Sequence, residues 1–397
     1  MQIDRALIDG LYRGLAPETR ERVDGAIETI CEAKERGGRV CVVTGSGPNL
    51  HEGVTTLIAE LIGVGLVDGV LTSSAVVAHE MAGCLERVHR VDGDQLGVDP
   101  ELLPADGRFE ISVIEDRFLG AIETEMEIDR DLVDRGLSLP GDDIIKAAGN
   151  MAYPLGLRTE TISSEVSELA RTEAVTFESV AGRGCDGHTM LGAAARRGVP
   201  LLVTVPQLIG GGRVGIEIAE STSMRDRSRR IASLLAESDV IIESALALAQ
   251  EIHDGPFETY TGHGIWSRWM GDETYRLKDK AVVRIDLDPN LELAWIRERE
   301  GGAVAEAVAK GLPKTKALGI PFRMEMSGFA RLEGSLPIVG DIGKIWPILA
   351  QGISSRLGSK LDFMSYPQGS DAGRRMRDWI VREVAILNRE RMLEGNR

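Results

Sequence analysis

The residues with the clearest chemical potential in this sequence follow short apolar runs and lie among glycines. Val42–Gly53 reads Val-Val-Thr-Gly-Ser-Gly-Pro-Asn-Leu-His-Glu-Gly, so an apolar strand leads through a glycine-bearing loop into a helix. Such a junction lets a backbone approach a ligand closely and directs free helix N–H groups at an anion. Val67–Ala75 repeats the design, ending in Thr72, Ser73 and Ser74. Two such junctions in succession predict one site at the carboxyl edge of a parallel sheet.

A third strand end carries carboxylates. Val282–Asn290 is an apolar run that ends in Asp286 and Asp288. In dinucleotide-binding folds a carboxylate at a strand end accepts hydrogen bonds from ribose hydroxyls. The alternative is a helix N-cap, which Asp288 before Pro289 would suit. Both roles are compatible, with Asp286 for a ribose and Asp288 for the cap.

A glycine-rich loop, Val205–Gly215, follows another apolar run. It lacks the Gly-Lys-Ser/Thr of a P-loop, so it is not a nucleoside-triphosphate loop of that type. Its position after a strand predicts a loop that contacts a ligand. Arg213 could hold a substrate carboxylate bidentately, and Glu217 could pair with a substrate ammonium. A solvated arginine is the alternative.

Four histidines, His51, His79, His188 and His263, lie near predicted strand ends or glycine-rich turns. We predict His188 and His263 as general acids or bases, with Asp186 beside His188 at a helix start, because imidazole titrates near neutrality. A purely structural role is the alternative for each. Cys185, in the same turn, is a candidate catalytic nucleophile. The sequence has no HExxH or paired Cys/His spacing, so no metal is expected.

Short β-branched runs alternate with helical patterns along most of the chain. Strands are expected at about 39–44, 67–72, 109–115, 174–180, 199–205, 240–243 and 281–286. Helices are expected at about 52–63, 75–86, 143–152, 161–171, 187–197, 224–237, 244–252, 290–311, 340–353 and 373–393. This alternation predicts an α/β fold with an open, mostly parallel, Rossmann-like sheet and helices on both faces.

The alternation of strands and helices is interrupted twice, and these interruptions predict the domain organisation. Residues 1–36 read as an N-terminal helical segment, and 37–318 as a Rossmann-like nucleotide-binding domain. A helical insertion is expected at about 117–172. Residues 319–397 read as a helical C-terminal extension.

The composition limits the partners. The chain has 397 residues and a formal net charge of -16, which disfavours nucleic acid and anionic membranes as partners because both require basic surface. No apolar run approaches the ~20 residues that span a bilayer, and the start lacks a signal-peptide pattern. The four cysteines are widely spaced and read as reduced thiols. A cytoplasmic protein that binds a small molecule is therefore expected.

Several of these runs resemble the deoxyhypusine synthase superfamily. Gly47–Gly53 is similar to the Asn-Leu-x-Ser-Ser-Gly segment that precedes a helix in that family. Gly65–Ser74 is similar to its Val-Asp-x-x-Val-Thr-Thr-Ala-Gly-Gly segment, and both segments contact NAD there. The resemblance is patchy and spans about residues 38–310.

A nearer resemblance within the superfamily is to the NAD-dependent ornithine cyclodeaminase domain of the archaeal and cyanobacterial type. It is carried by Gly198–Val203 with the glycine-rich loop, by Ser238–Ile242, and by Val283–Asn290. It implies a homo-oligomer, either a tetramer or a dimer. It also implies a small basic amine or amino acid as substrate, oxidised to an imine by hydride transfer to NAD. The implied NAD contacts are Ser46, Asn49, Thr72, Ser73, Ser74, Glu243, Ser244 and Asp286.

The departures from the family limit the activity. No segment matches the family's Glu-Ala-x-Ser-Trp-Gly-Lys, whose lysine carries the aminobutyl group, so deoxyhypusine synthesis is not expected. The family's Ala-Gly-Gly is Ala75-Val76-Val77 here. Three hypotheses stay open: an NAD-dependent amine or amino-acid enzyme, a regulatory homologue that binds nucleotide without turnover, and an NAD-independent hydrolase or transferase. The last would use Cys185, or Asp186 with His188.

Overall fold

The computed structural model describes residues 3–45, 47–244, 268–277, 279–286, 290, 293, 296–297, 300–311, 319 and 335–394. The strands are β1 Val40–Val43, β2 Gly69–Thr72, β3 Leu85–Asp92, β4 Arg108–Ser112, β5 Asp142–Ala147, β6 Leu201–Val203, β7 Val240–Glu243, β8 Ala281–Asp286 and β9 Ser335–Val339. The helices up to the glycine-rich loop are α1 Arg5–Arg13, α2 Pro17–Glu35, α3 Gly47–His51, α4 Val54–Gly63, α5 Ser74–Met81, α6 Gly93–Leu96, α7 Asp116–Glu125, α8 Arg130–Ser138, α9 Leu155–Glu173, α10 Phe177–Gly184 and α11 Met190–Arg197. Those after it are α12 Arg213–Ser221, α13 Met224–Ala236, α14 Ala303–Ala309, α15 Ile342–Leu357, α16 Asp371–Glu383 and α17 Arg389–Glu394.

Six strands form one parallel sheet in the order β6-β2-β1-β7-β8-β9. The chain moves outward from β1 through β2 to β6, then returns to the other side of β1 with β7. The carboxyl ends of β1 and β7 therefore flank the point where the strand order reverses, which is where ligands bind in open α/β sheets. The predicted α/β fold class, a Rossmann-like parallel sheet flanked by helices, is confirmed.

Both faces of the sheet are buried because alternate residues of each strand point in opposite directions. Val42 and Val70 contribute to the larger core, which includes residues of α2, α4, α11 and α15. Cys41 and Leu71 point to the other face, where they pack with residues of α13 such as Leu235. The near-continuous apolar character of the strands follows from this double coverage.

The outer edge of β6 is closed by a buried ion pair rather than by another strand. Glu178 Oε1 accepts the Val203 backbone N–H at 2.7 Å, and Arg227 Nη1 donates to the Val203 carbonyl at 3.2 Å. The two side chains also pair with each other. They thus replace the hydrogen bonds of a neighbouring strand, which keeps this edge from pairing with another chain.

A second, antiparallel sheet of order β4-β3-β5 lies beside the main one. The predicted insertion, 117–172, contains α7, α8, β5 and most of α9, so it supplies a strand as well as helices. Leu85 of β3 pairs with Ala147 of β5, which brings the segment after β5 close to the end of α5. The predicted domain boundaries stay predictions.

The helix predicted near 143–152 is wrong, because β5 Asp142–Ala147 pairs with β3 there. Two other predicted elements are also wrong. The segment 174–180 was expected to be a strand, yet α10 begins at Phe177, because the Thr176 hydroxyl accepts the Ser179 N–H at 3.2 Å and caps the helix. The helix expected at 75–86 ends at Met81, and β3 begins at Leu85. In both places capping and strand pairing outweigh the local pattern.

The C-terminal segment contributes to the sheet as well as covering it. β9 pairs with β8, and α15 packs on α2 through buried residues such as Trp346. Within the described residues, no helix combines the length and apolarity needed to cross a membrane.

Candidate functional site

The polar residues that follow β1 and β7 meet at the carboxyl edge of the sheet. The Ser244 backbone N–H donates to Val43 O at 2.8 Å, which continues the β1–β7 pairing by one residue. Asn49 Nδ2 donates to Gly45 O at 2.5 Å and to Ser244 O at 2.9 Å. The Ser244 hydroxyl donates to Asn49 Oδ1 at 2.8 Å and accepts from Trp346 Nε1 at 2.8 Å. Asn49 and Ser244 therefore join the two walls of the crevice between β1 and β7.

Buried threonine hydroxyls lie at the same edge. Thr44, Thr72 and Thr204 each follow or end a strand, and each side chain is at most 1% exposed. Their Oγ1 atoms have no hydrogen-bond partner among the described residues. Val43 pairs with Leu71, and Thr44 and Thr72 are the next residues on the two neighbouring strands, so their side chains are expected on the same face of the sheet. Buried hydroxyls in folded proteins usually have a partner, which makes Thr44 and Thr72 candidates for contact with a polar ligand at this edge.

Ser73 and Ser74 have structural partners at the start of α5. Ser73 caps the helix by accepting the Val76 N–H at 3.3 Å. Ser74 donates its hydroxyl proton to Gln207 O at 2.7 Å and accepts the Gly211 N–H at 3.0 Å. Ser74 therefore fixes the glycine-rich loop against α5.

The glycine-rich loop requires glycine because it packs directly on the backbone of α5. A Cβ on Gly211 would lie 2.6 Å from Ser74 O, and one on Gly212 would lie 2.8 Å from Glu160 Oε1. Gly212 also has φ +61, which side chains rarely adopt. By contrast, the nearest atom to a Cβ on Gly210 would be Ser74 Oγ at 4.0 Å. The loop was predicted to contact a ligand, and it does border a pocket.

This pocket, which we call the α5 pocket, lies between the start of α5, the glycine-rich loop and the segment after β5. Its volume is about 520 Å³. Its lining residues are Ala75, Ala78, His79, Phe109, Gly149, Asn150, Met151, Ala152, Tyr153, Gly156, Leu157, Glu160, Gly210, Gly211 and Gly212. Only Ser73 and Ser74 separate Ala75 from Thr72, so the pocket adjoins the carboxyl edge of the sheet.

His79 supplies the imidazole of the α5 pocket. Its Nδ1 lies 2.7 Å from Ala148 O, and a carbonyl only accepts, so Nδ1 carries the proton. Burial lowers the pKa of His79, and the Lys146 charge lowers it further, against the opposing effect of the Ala148 bond. The ring is therefore neutral near pH 7, with Nε2 as its proton acceptor.

Among the described residues that line the α5 pocket, Glu160 is the one carboxylate, and its side chain is exposed. Phe109 and Tyr153 line the same cavity, with ring centroids 6.5 Å apart. No lysine or arginine is among the residues that line the pocket. A carboxylate and two aromatic rings could contact a cationic ligand, although Lys146 Nζ stands at the border of the pocket, where it donates to Asn150 O at 2.9 Å.

The predicted pair Asp186 and His188 lies outside the α5 pocket. Asp186 Oδ1 accepts the His188 N–H at 2.9 Å and contacts His188 Nδ1 at 2.8 Å. The Asp186 bond raises the pKa of His188, outweighing partial burial. The ring packs edge-on against Trp379, with centroids 5.3 Å apart. Cys185 is buried, and burial raises the pKa of its thiol well above the usual value, so a nucleophilic thiolate is disfavoured.

Arg213 and Glu217 contact each other rather than the pocket. Arg213 Nε lies 3.5 Å from Glu217 Oε1, and the Ser164 hydroxyl bridges the two at 2.8 Å from each. The Arg213 side chain is 58% exposed. This arrangement fits the alternative of a surface arginine better than a bidentate substrate clamp.

Glu243 forms a buried ion pair at the end of β7. Its Oε1 lies 3.4 Å from Arg284 Nη2, and both side chains are 1% exposed. The two residues are opposite each other on β7 and β8. The pair lies on the α13 face of the sheet, behind the crevice. Ser46, His263 and the side chain of Asp286 lie outside the described residues.

The structure thus brings together Asn49, Thr72 and Ser244 at the carboxyl edge, with Ser73 and Ser74 leading from it to the α5 pocket. The prediction of catalytic residues did not include His79 or Glu160. The sequence signal for His79 is its position five residues after Ser74, close to the polar end of β2. Glu160 gave no signal, because its position depends on the packing of α9 against the glycine-rich loop.

No protein-family model matches the chain, and no curated protein sequence is similar to it. Among solved structures, a conserved LOR/SDH protein from Methanococcus maripaludis S2 is similar over 86% of this chain and 71% of that one, with 11% identity and a TM-score of 0.38. The ternary complex of AgrE with ornithine and NAD+ is similar at 12% identity and a TM-score of 0.39. ArgZ, an arginine dihydrolase from cyanobacteria, is similar at 11% identity and a TM-score of 0.37. This chain is covered over 86% and 84% in these two comparisons, but it spans only 34% of AgrE and 31% of ArgZ.

Proposed function

We propose that this protein is an NAD-dependent enzyme that oxidises a C–N bond of a small basic amine or amino acid to an imine. The observation that carries the proposal is the α5 pocket, which adjoins the carboxyl edge of the sheet and holds one carboxylate and one neutral imidazole. The runs that resemble the ornithine cyclodeaminase domain surround the same edge, at Gly198–Val203 and Ser238–Ile242.

The lining of the α5 pocket supports a cationic substrate. Glu160 would pair with a substrate ammonium, and charge-assisted hydrogen bonds of this kind are the stronger ones in proteins. Phe109 and Tyr153 would offer their ring faces to the same cation. A volume of about 520 Å³ is in the range of sites for small ligands.

The carboxyl edge supports a bound NAD. The buried hydroxyls of Thr44 and Thr72, which lack partners among the described residues, fit a ligand with many polar oxygens. We propose that these two hydroxyls, with the Gly45–Asn49 turn, hold the cofactor, and that Asp286 binds a ribose. Asn49 and Ser244 would act by holding the crevice walls together.

The chemistry follows from the two ionisable groups of the α5 pocket. His79 Nε2 accepts a proton from the substrate ammonium, which frees the nitrogen lone pair. The adjacent C–H bond breaks, the lone pair forms the C=N bond, and Glu160 stabilises the resulting iminium charge. Bound NAD supplies the acceptor for the hydride.

We assign the proton transfer to His79 in place of His188, because His79 lines the pocket and has a lone pair available. His188 has its Nδ1 occupied by Asp186 and lies outside the pocket. A contribution of His263 stays a prediction. The homo-oligomer and the cytoplasmic location also stay predictions, and light scattering of the purified chain would measure the first.

Isothermal titration with NAD tests the cofactor. Binding is expected for the wild type and should weaken several-fold in Thr72→Val, which removes the hydroxyl with little change of shape. Thr55→Val is the matched control, because Thr55 is also buried with an unpartnered hydroxyl but lies on α4. Absence of NAD binding by the folded wild type would exclude the proposal.

Turnover is tested by incubating the chain and NAD with ornithine, arginine, lysine and polyamines, while NADH and ammonia are measured. Production of either from one of these amines is expected. NAD binding without any product would favour the regulatory homologue instead. Activity that persists after NAD is removed would favour the hydrolase or transferase.

A further inference from the structure

Glu86 is a buried carboxylate that contacts the Ala148–Gly149 peptide. It lies at the start of β3, is 4% exposed, and its Oε1 accepts the Gly149 N–H at 2.7 Å. The carbonyl on the other side of the same peptide bond, Ala148 O, is the partner of His79 Nδ1 at 2.7 Å. One peptide unit therefore connects a carboxylate to an imidazole.

The Ala148–Gly149 peptide is fixed in its orientation. The Ala148 N–H donates to Cys84 O at 2.9 Å, which extends the β3–β5 pairing up to the peptide. Gly149 has φ +68, and a Cβ there would lie 2.7 Å from Ala82 Cβ and 3.2 Å from Thr159 Oγ1. Only glycine fits this position, so the peptide is built to present its N–H to Glu86 and the adjoining carbonyl to His79.

We propose that Glu86 is a positioning residue that acts on His79 through the Ala148–Gly149 peptide. By binding the N–H it holds the carbonyl towards His79 and polarises it. The ring is thereby kept as the Nδ1–H tautomer, which leaves Nε2 as the proton acceptor at the wall of the α5 pocket. The arrangement resembles a carboxylate that orients a histidine directly, with a peptide unit inserted between the two groups. Its catalytic meaning rests on the proposed function, whereas the state of the ring does not.

Glu86 gains or loses its charge near neutral pH. Burial raises the pKa of Glu86 to about 7, against the Ser112 and Gly149 hydrogen bonds that lower it. The pKa of His79 is lowered, so the ring is already neutral where Glu86 titrates. A Glu86 carboxylate polarises the peptide more strongly than its protonated form does. The His79 Nδ1–H bond should therefore strengthen as pH rises through neutrality.

Other charged groups face this pair from the surrounding elements. Lys146 of β5 lies near both Glu86 and His79, and Glu110 of β4 binds Lys146 and lies near Glu86. His51 of α3 lies near His79, and Arg377 of α16 contacts His51. Each of these charges acts through space, so a control variant must separate their electrostatic effect on His79 from the effect that Glu86 transmits through the Ala148–Gly149 peptide.

Imidazole ¹⁵N–¹H correlation spectra of the full chain test the proposal, with His79→Gln to assign the ring among six histidines. In the wild type the His79 Nδ1 proton signal should show a step near pH 7. Glu86→Gln keeps an acceptor for Gly149 but cannot ionise, so it should keep the tautomer and lose the step. Glu110→Gln removes a nearby carboxylate that does not contact the Ala148–Gly149 peptide, so this variant should keep both the tautomer and the step.

A step that persists in Glu86→Gln, or its absence from the wild type, would overturn the proposal. Glu86→Leu provides a second measurement, because it removes the acceptor and should mix the two tautomers and lower kcat about tenfold without changing KM. An unchanged tautomer in a folded Glu86→Leu would also overturn it. If the step is present but no amine is turned over, the proposed function fails and the positioning role stands. If amines are turned over but the step is absent, the positioning role fails and the proposed function stands.

Discussion

The Asp186–His188 turn and the α5 pocket each hold a histidine whose Nδ1 has a partner, yet the two environments differ in every other respect. Asp186 raises the pKa of His188, whereas burial lowers that of His79. His188 stacks edge-on against Trp379, while His79 lines a cavity of about 520 Å³ with a carboxylate nearby.

The difference shows what a motif rich in glycine, aspartate and histidine accomplishes. In the turn, the Asp186 carboxylate accepts the His188 backbone N–H, and the Thr189 hydroxyl accepts the Gly192 N–H as the cap of α11. These polar groups satisfy one another and start a helix. In the α5 pocket the polar groups come from distant segments, and part of their hydrogen-bonding capacity faces the cavity. A catalytic or binding site requires polar groups that can still bind a ligand, as in the second arrangement.

The largest effect is expected from removing each histidine. His79→Ala should lower NADH formation from an amine by ~10²–10⁴-fold, the usual contribution of a general base. His188→Ala should change it by no more than about twofold, as for a surface substitution of ~0.5 kcal/mol. Steady-state kinetics on both variants measures this. A larger loss in His188→Ala would reverse the assignment.

The carboxylates provide the next comparison. Glu160→Gln should raise KM for the amine by about two- to fivefold, because an ion pair with an exposed carboxylate is worth up to ~1 kcal/mol. Asp186→Asn should leave KM unchanged, since Asp186 binds His188 and lies outside the α5 pocket. Initial rates over a range of amine concentrations distinguish them. Equal KM values in Glu160→Gln and the wild type would remove Glu160 from the site.

The glycine-rich loop tests whether the pocket depends on a close backbone contact. Gly211→Ala should destabilise the fold by ~1–3 kcal/mol and deform the pocket, because the new Cβ would lie 2.6 Å from Ser74 O. Gly210→Ala is the matched control, since its Cβ would have about 4.0 Å of clearance. Urea unfolding and amine binding measure both effects. Similar behaviour of the two variants would contradict the proposed contact.

The sequence predicts the fold more completely than the site, and particular residues show why. Buried strands such as Val40–Val43 and Val240–Glu243 carry their pattern locally, so their positions are predicted within a few residues. The strand end at Thr72–Ser74 is predicted for the same reason. Glu86 and Glu160 belong to the site through packing between distant segments, and no local pattern encodes that proximity.

The same limit explains the error at 174–180. Its β-branched residues favour a strand locally, but Thr176 caps a helix and Glu178 is drawn inward to bind the Val203 N–H. A carboxylate within an apolar run looks like an interruption in sequence. In the structure it is the group that closes the edge of the sheet.

The smallest effect is a difference of sign in the pH dependence of stability. The pKa of His188 is raised in the fold, so its contribution is fully present below its usual value of 6.5 and is lost as pH rises through the raised value. The pKa of His79 is lowered, so its contribution is present above 6.5 and is lost as pH falls through the lowered value. Urea unfolding between about pH 5 and pH 8 should therefore show that His188→Gln removes a stabilisation confined to the acidic side, of at most ~1 kcal/mol for a half-exposed pair. The wild type loses stability at acidic pH through His79, and His79→Gln should abolish that loss. If the unfolding free energy changes with pH in the same direction in both variants, the two histidines do not differ in the way their surroundings indicate.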